Sequence, residues 1–579
     1  MRAELTQPTK PAAVAVAAAA GHQQEESERR TDRTDDSISE TVPDEADGFD
    51  WQEDVNGLAD GMAALSVEPK GAGYLGSTAG AFFLRPLLFW LGHSQPTADN
   101  LGRPFTDSPK SNAGRGMEAS SRLSASMESR EVVGRLIDSY FSLYNRTYPF
   151  VHEGTFRAQY HEVIARPHNR SWQMLLHTIL ALGAWCLGDA QSGVDEGLYR
   201  RAVSFGEADS LFESANLTFV QALVLLSNLS QKRNKPNTGS NFLGLATRMA
   251  LSLGLHRELP DWHIGILQRE IRRRVWWGLY TFDSGASTTF GRPILLPDKE
   301  AMDVRPVLNI ADENLTAGTT AVPPESTEPT IYSSLRWQSD FHLHTNHISN
   351  HLLSSTGVPA EEALAMDASL DAWSDRLPAY FRLDHELATA DPTFLFARCR
   401  LWWRVWNLKI VLFRQLLLKR AVERTSRRDA LGTLSEAHVK SRDVAVHAAS
   451  STIASIHGLS QMGANINRLV AWYSIYFLFH ASLIIALAIV GDAESLDLPR
   501  WQSDLETVRT IFRITYADNS LAQRCADILD LIVPSNLIMA AGWDGFPLDT
   551  GFGDMTNWPA DGSDFMSLFG WPDATGPGV

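Results

Sequence analysis

The feature that most constrains the fold is an apolar periodicity of three to four residues, sustained from about residue 131 to residue 535. Within 241–253, for example, apolar side chains recur at steps of three and four, which places them on one face of an α-helix. Few runs alternate with a period of two, and no strand–turn–helix unit repeats. The sequence therefore predicts an all-α domain over residues 131–535. Its clearest helices are predicted over 172–187, 217–229, 331–353, 361–376, 392–421, 434–459, 466–490 and 504–529.

Glycine and proline mark the ends of two further helices between residues 241 and 290. Gly254 is placed to end the first in a left-handed conformation, and Pro293 disfavours helical backbone at Arg292, so the chain should turn extended there. The second helix carries a basic run, 272–274. Adjacent helical residues point about 100° apart, so these arginines cannot all face one phosphate. The run is typical of a solvated or salt-bridged helix surface.

The segments that flank the helical domain differ from it in composition. Residues 1–70 are polar and acidic with few aromatics, which predicts disorder. Residues 71–130 are predicted to form a tether with one short docking helix near 81–91. The Pro- and Thr-rich stretch 316–330 is predicted to be a surface loop or a disordered insertion.

The C-terminal segment, 536–579, combines acidic residues with large aromatics. From residue 535 onward the chain holds six Asp, no Lys or Arg, and seven large aromatics. This composition is typical of an acidic-hydrophobic activation segment that anchors in a partner's groove, and a merely solubilising tail is the alternative. The predicted anchors are Trp543, Phe546, Phe552, Trp558, Phe565, Phe569 and Trp571.

Charge and cysteine content limit the function classes. With 51 Lys and Arg against 68 Asp and Glu, the net charge is −17, and no dense basic stripe offers a surface to nucleic acid. The three cysteines, Cys186, Cys399 and Cys525, are spaced for neither a disulfide framework nor a zinc cluster. Residues 12–20 are rich in Ala and Val but lack signal-peptide flanks, so secretion is not expected.

One segment is apolar enough to need a membrane test. Residues 469–490 contain no Asp, Glu, Lys or Arg, and their length would permit a bilayer span. They also hold His480 and several hydroxyl side chains, and no polybasic flank orients them. A helix buried inside a large helical domain is the favoured interpretation, with no membrane partner.

Three patterns resemble catalytic or ligand-binding motifs, but each lacks the sequence context that such a motif requires. Gly71, Gly73 and Gly76 match dinucleotide-binding spacing, but no credible strand precedes them. The histidines at 342, 344, 347 and 351 lie on one predicted helix, where a polar surface is more common than a metal site. Cys186 lies in an apolar stretch unsuited to a nucleophilic thiol. The sequence therefore predicts no enzyme, no cofactor and no metal site.

Several motifs, in a fixed order, resemble one protein family. They are YFSLYNRTYPFVHEGTFRAQY from Tyr140, LLHTILALGAWC from Leu175, ALVLLSNLSQKRNKPNTGSNFLGLATRMALSLGLHRE from Ala222, REIRRRVWWGLYTFD from Arg269 and FGRPILLPD from Phe290. Together they resemble the regulatory, or middle homology, domain of fungal binuclear zinc cluster transcription factors, over about 136–308. The stretch 232–239 looks closest to regulators of sugar and other nutrient pathways.

The resemblance implies a nuclear transcription regulator whose C-terminal tail contacts coactivators. Family members hold two zinc ions in an N-terminal six-cysteine cluster that reads DNA, usually as a dimer. No Cys precedes Cys186 here, so those ligands are missing and DNA contact is expected only indirectly or through a missing N-terminal domain. Three explanations stay open: a truncated gene model, a module that acts through a DNA-binding partner, and a soluble helical metabolite-sensing or protein-interaction module without transcriptional output. Homo- and heterodimers also stay open. His256 and Arg292 are the candidate regulatory polar contacts, although each could equally serve structure alone.

Overall fold

The computed structural model describes residues 74–91, 129–188, 193–206, 210–233, 235–354, 357–385, 391–426, 435–462, 466–492 and 494–534. The regular elements in these ranges are all helical, and no β-strand occurs within them, which confirms the all-α class. The predicted disordered segment 1–70 and activation segment 536–579 lie outside the described residues.

The helices follow one another with short connections over most of the body. In chain order they are α1 (Ala81–Trp90), α2 (Arg130–Ser139), α3 (Glu153–Tyr160), α4 (Asn169–Leu187), α5 (Val194–Ser204), α6 (Ser210–Glu213), α7 (Leu217–Lys232), α8 (Pro236–Ser252), α9 (Ile266–Phe290), α10 (Ile331–Ser354), α11 (Ala360–Ser374), α12 (Pro392–Ser426), α13 (Glu436–Gln461), α14 (Arg468–Gly491), α15 (Leu498–Thr510) and α16 (Ser520–Ile532). Single π-helical turns extend α2 and α15, over Tyr140–Asn145 and Ile511–Thr515.

Helix α14 lies at the centre of the packing. It contacts α12, α13, α15 and α16 on the C-terminal side and also α4 from the N-terminal half. It is the one helix among the described residues that is long and apolar enough to cross a membrane, yet 83% of its most apolar window is buried by the rest of the body. A helix that is apolar on every side can be buried on every side. Helix α14 is therefore a core helix of the body, which is the interpretation that the sequence analysis favoured.

The predicted helix 504–529 is wrong in one respect, because the structure breaks it in two. The chain turns after the π-helical turn, and Asn519 begins α16 as its N-cap. The Asn519 side-chain oxygen accepts a hydrogen bond from the amide of Ala522 at 3.1 Å, which satisfies a helix-terminal donor. Apolar residues continue at helical spacing across the break, so periodicity alone could not locate it.

The segment that holds α1 packs against the end of α9. The Gly76 amide donates to the Phe290 carbonyl at 3.1 Å, and Leu75 and Ala79 bury their side chains against Phe290. The two backbones approach so closely that a Cβ on Gly76 would lie 2.1 Å from the Gly291 carbonyl oxygen. Gly291 itself has φ 65°, a left-handed conformation that glycine adopts without strain.

An irregular segment after α9 crosses the surface of the body before α10 begins. Asn309 fixes its fold, because its side-chain amide donates to the carbonyls of Ser326 and Glu328 at 2.8 and 3.0 Å. The stretch 316–330 is therefore a surface loop, one of the two predicted alternatives.

Candidate functional site

A small cavity lies where five helices meet, with a volume of about 90 Å³. Most of the lining residues recur along their helices at steps of three or four, the spacing that places side chains on one helix face. The principal lining residues are Asn228 and Gln231 from α7, Thr281, Gly285 and Thr288 from α9, His342, Thr345 and Ser349 from α10, Arg404, Asn407 and Leu408 from α12, and Trp472, Tyr473 and Tyr476 from α14.

Small side chains on α9 leave the space for this cavity. Gly285 faces Arg404 of α12, and a Cβ at this glycine would lie 3.2 Å from the Arg404 Nη1 atom, which is closer than ordinary van der Waals contact. Thr281 and Thr288 lie one turn to either side on the same face. These small residues of α9 therefore leave room for the Arg404 guanidinium and for the cavity beside it.

The Arg404 guanidinium carries the cavity's positive charge. Its Nη1 atom lies 2.7 Å from the Nε2 atom of His342. A guanidinium donates and cannot accept, so His342 accepts at Nε2 and carries its proton on Nδ1. Burial lowers the pKa of His342 well below its usual range, and the nearby charges of Arg404 and Arg400 lower it further. Burial also lowers the pKa of Arg404 to about 10, so the guanidinium stays charged at neutral pH while His342 stays neutral.

A second buried arginine, Arg400, lies one helical turn before Arg404 on α12. Its Nη2 atom donates to the Thr147 carbonyl at 3.3 Å and to the Ser334 hydroxyl at 3.2 Å. Its guanidinium also lies 4.7 Å from the Tyr148 ring centroid, within the range of a cation–π contact. All of these partners are uncharged.

Aromatic rings from α14 form the opposite wall. Tyr473 and Phe477 stack at 6.3 Å, and Trp472 meets Tyr473 edge to face at 4.8 Å. Burial raises the pKa of Tyr476, so its hydroxyl stays protonated and can donate. The site combines a buried cation, neutral hydroxyls and amides, and an aromatic surface.

These groups can bind a ligand through charge, hydrogen bonds and aromatic contact. Among the described residues that line the cavity there is no carboxylate and no thiol, and the one histidine accepts from a permanent cation. Sequence reasoning missed this site. The signal was present in RLWWRVW from Arg400, where two arginines lie one turn apart on an otherwise apolar helix face.

The predicted regulatory residue Arg292 lies elsewhere, at the corner that follows α9. Its Nε atom donates to the Tyr74 carbonyl at 3.0 Å, its Nη2 atom donates to the Asn237 side-chain oxygen at 2.8 Å, and its guanidinium lies 5.3 Å from the Phe290 ring centroid. These contacts join the α1 segment, the start of α8 and the end of α9. They give Arg292 a structural role, and its regulatory role stays a prediction.

The other predicted regulatory residue, His256, follows the left-handed Gly254 that ends α8 as expected. Its carbonyl accepts from the amides of Asp303 and Val304 at 3.2 and 3.3 Å, and its ring lies 5.9 Å from that of Trp276. Burial, together with Arg257, lowers its pKa. The structure does not bring His256 and Arg292 into one site, and a regulatory contact at His256 stays a prediction.

Two arginines of the run on α9, Arg273 and Arg274, are salt-bridged, as expected, but they are buried rather than solvated. Arg274 is fully buried between Glu270 and Asp312, with its guanidinium over the Tyr332 ring. Arg273 pairs with Glu258 and Glu270. The chain after residue 303 packs over these arginines and buries them. This is a long-range contact, so the local sequence does not reveal it.

Three of the four histidines of α10 contact different partners, and the fourth, His347, meets the His344 ring edge to face at 6.1 Å. His342 meets Arg404, the Nε2 atom of His344 lies 3.1 Å from the Ser369 hydroxyl, and that of His351 lies 3.1 Å from Glu362. Within the described ranges no three His, Cys, Asp or Glu side chains assemble into a metal-binding group.

The cysteines do not fit the two-zinc cluster of the resembling family. Cys186, Cys399 and Cys525 lie in α4, α12 and α16, and Cys186 and Cys525 are buried. Burial raises the pKa of the Cys186 thiol to about 12, so it remains protonated. Three separate thiols cannot replace six thiolates. The seven aromatic anchors of 536–579 lie outside the described residues.

Comparisons with known proteins agree with the motif resemblance. A family model described as a fungal specific transcription factor domain matches residues 137–354. The lactose regulatory protein LAC9 of Kluyveromyces lactis is 32% identical over 285 residues, which cover 48% of this chain and 31% of that protein. The transcription factor FBD3 of Gibberella moniliformis is 25% identical over 522 residues, covering 83% of this chain and 69% of that protein. The chain thus spans under a third of the first relative and about two thirds of the second. These names are those of transcription factors, not of enzymes.

Proposed function

We propose that this chain regulates transcription as an activator of a sugar or other nutrient pathway, since its residues 137–354 match the model of a fungal specific transcription factor domain. The observation that carries the proposal is the coincidence of that domain with an acidic, aromatic C-terminal segment in one chain. In this proposal the helical body controls when the segment at 536–579 reaches coactivators in the nucleus. The name of the lactose regulatory protein supports a nutrient pathway.

DNA contact in this proposal comes from another protein region or from a DNA-binding partner. The net charge of −17 opposes direct binding to phosphates through these residues. The three cysteines do not form the family's zinc cluster, so no step is assigned to zinc.

A reporter experiment tests the activating output. Residues 536–579 are fused to a neutral DNA-binding domain, and transcription of a reporter is measured in a fungal host. We expect activation well above that of the DNA-binding domain alone, because aromatic side chains spaced among acids can anchor in coactivator grooves. The matched control replaces the seven aromatics, from Trp543 to Trp571, with alanine and keeps all six Asp of the segment.

The control separates charge from anchoring. Loss of activation in the alanine variant supports the aromatic anchors. Equal activation by both fusions would show that the acids suffice. A silent native segment would contradict the activator proposal and favour a helical sensing or interaction module without transcriptional output.

A further inference from the structure

We propose that the cavity between α9, α10, α12 and α14 binds a small organic carboxylate, with Arg404 as its ionic partner. The sequence motifs and the relatives' names assign no ligand to this place. The binding claim stands on geometry and charge, and only its effect on transcription rests on the proposed function.

The first argument is the missing counter-ion. The hydrogen-bond and ionic partners of Arg404 and Arg400 within the described part of the chain are His342, Tyr148, Ser334 and the Thr147 carbonyl, all neutral. A buried charge without an opposite charge is costly, and proteins normally pair it. The same body does so elsewhere, since the buried Arg274 is held by two carboxylates.

The second argument is access. The Arg404 and Tyr476 side chains are half-buried, and both line the cavity. Arg414, further along α12, is also buried, but it donates to the Ser77 and Ala79 carbonyls at 3.1 and 2.8 Å and is not among the residues that line this cavity. The Arg404 guanidinium is the one that faces open space.

The third argument is fit. Arg404 is the one formally charged residue among the described lining residues, so a monoanion is enough to pair it. A carboxylate is planar and matches the guanidinium fork. The aromatic wall of α14 offers an apolar surface for the ligand's body, and Thr345 and Ser349 offer hydroxyls.

The location connects binding to regulation. The cavity takes α9 and α10 from the matched domain, 137–354, and α12 and α14 from the helices that follow it. A ligand that bridges Arg404 to the α10 hydroxyls would stabilise the packing between these two parts. It would therefore favour the packed conformation over any conformation in which the two parts separate.

Calorimetric titration of the purified full chain with benzoate tests the proposal, with benzamide as the neutral isostere. We expect saturable benzoate binding and at least tenfold weaker benzamide binding. Arg404→Met should raise the benzoate Kd at least tenfold. The matched control is Arg398→Met on the same helix, where the guanidinium donates to the Arg382 carbonyl outside the cavity, and it should leave the Kd unchanged.

A second variant covers the case in which Arg404→Met does not fold. Thr345→Ile fills the cavity from α10 without removing a charge, and it should abolish benzoate binding. Equal affinity for benzoate and benzamide, absence of binding by both, or unchanged binding in Thr345→Ile would each overturn the proposal. Because the titration does not depend on transcription, a silent reporter leaves this result intact.

Discussion

Substitution of Arg292 by alanine tests whether the corner after α9 is a structural joint or a regulatory contact. The change removes donors to the Tyr74 carbonyl and to the Asn237 side chain, and a cation–π contact with Phe290. The α1 segment would then be held by the Gly76 amide bond, by the hydroxyls of Ser77 and Thr78, which donate to the Leu352 and Thr288 carbonyls, by Arg414 and by apolar contacts. We expect this segment to loosen while the rest of the body stays folded.

The magnitude follows from the two hydrogen bonds. Bonds to a charged group contribute about 1.5–3 kcal/mol each. Burial of the Arg292 guanidinium, which lowers its pKa, offsets part of that gain. We therefore expect a net loss of about 2–3 kcal/mol in the free energy that opposes undocking of the segment. Because each 1.4 kcal/mol is a factor of ten, amides in α1 should exchange with solvent on the order of 30- to 100-fold faster.

Native-state hydrogen exchange on the full chain measures this effect, with α14 amides as the internal reference. Arg292→Lys is the matched variant, since one ammonium keeps the charge but cannot reproduce the planar fork, and it should give an intermediate rate. The reasoning would be refuted if Arg292→Ala left α1 exchange unchanged. A variant with native exchange and an altered inducer response in a reporter would instead establish the regulatory role.

Two further predictions concern charge burial and close packing. Burial raises the pKa of Asp283 to about 6 although it accepts from the Leu295 and Leu296 amides. Its contribution to stability should be complete below about pH 4 and fall by about 3 kcal/mol in total as the pH rises through 6, of which about 1.4 kcal/mol is lost between pH 5 and pH 8. Urea unfolding at pH 5 and pH 8 should show that Asp283→Asn reduces this loss, and an unchanged pH dependence would disprove the cause. Gly76→Ala should undock α1, because the added Cβ would lie 2.1 Å from the Gly291 carbonyl oxygen. Gly134→Ala is the control: its Cβ would meet no atom within 4 Å, and the change should stabilise α2 by about 0.5–1 kcal/mol. Similar unfolding free energies for both variants would contradict the close approach at Gly76.

The amino-acid pattern was sufficient to predict helices and helix ends, because these depend on interactions between residues close in sequence. Apolar spacing predicted most of the helices, and Gly254 and Pro293 predicted where two of them end. The same pattern missed the break before α16, since a single capping residue, Asn519, outweighs a periodicity that continues across it.

What the tertiary structure decided concerns charges and their partners. Sequence alone assigned the arginines of 272–274 to a surface, but the chain after residue 303 folds back and buries Arg274 against Asp312. The sequence alone also did not identify Arg404 as a site residue. The role of an arginine on an apolar helix depends on the side chains of the helices that face it. Periodicity is a property of neighbours along the chain, whereas the energy of a buried charge depends on groups that are distant in sequence. The sequence by itself therefore determined the helices and the family resemblance, and only the packing of α9, α10, α12 and α14 created the cavity and gave it its charge.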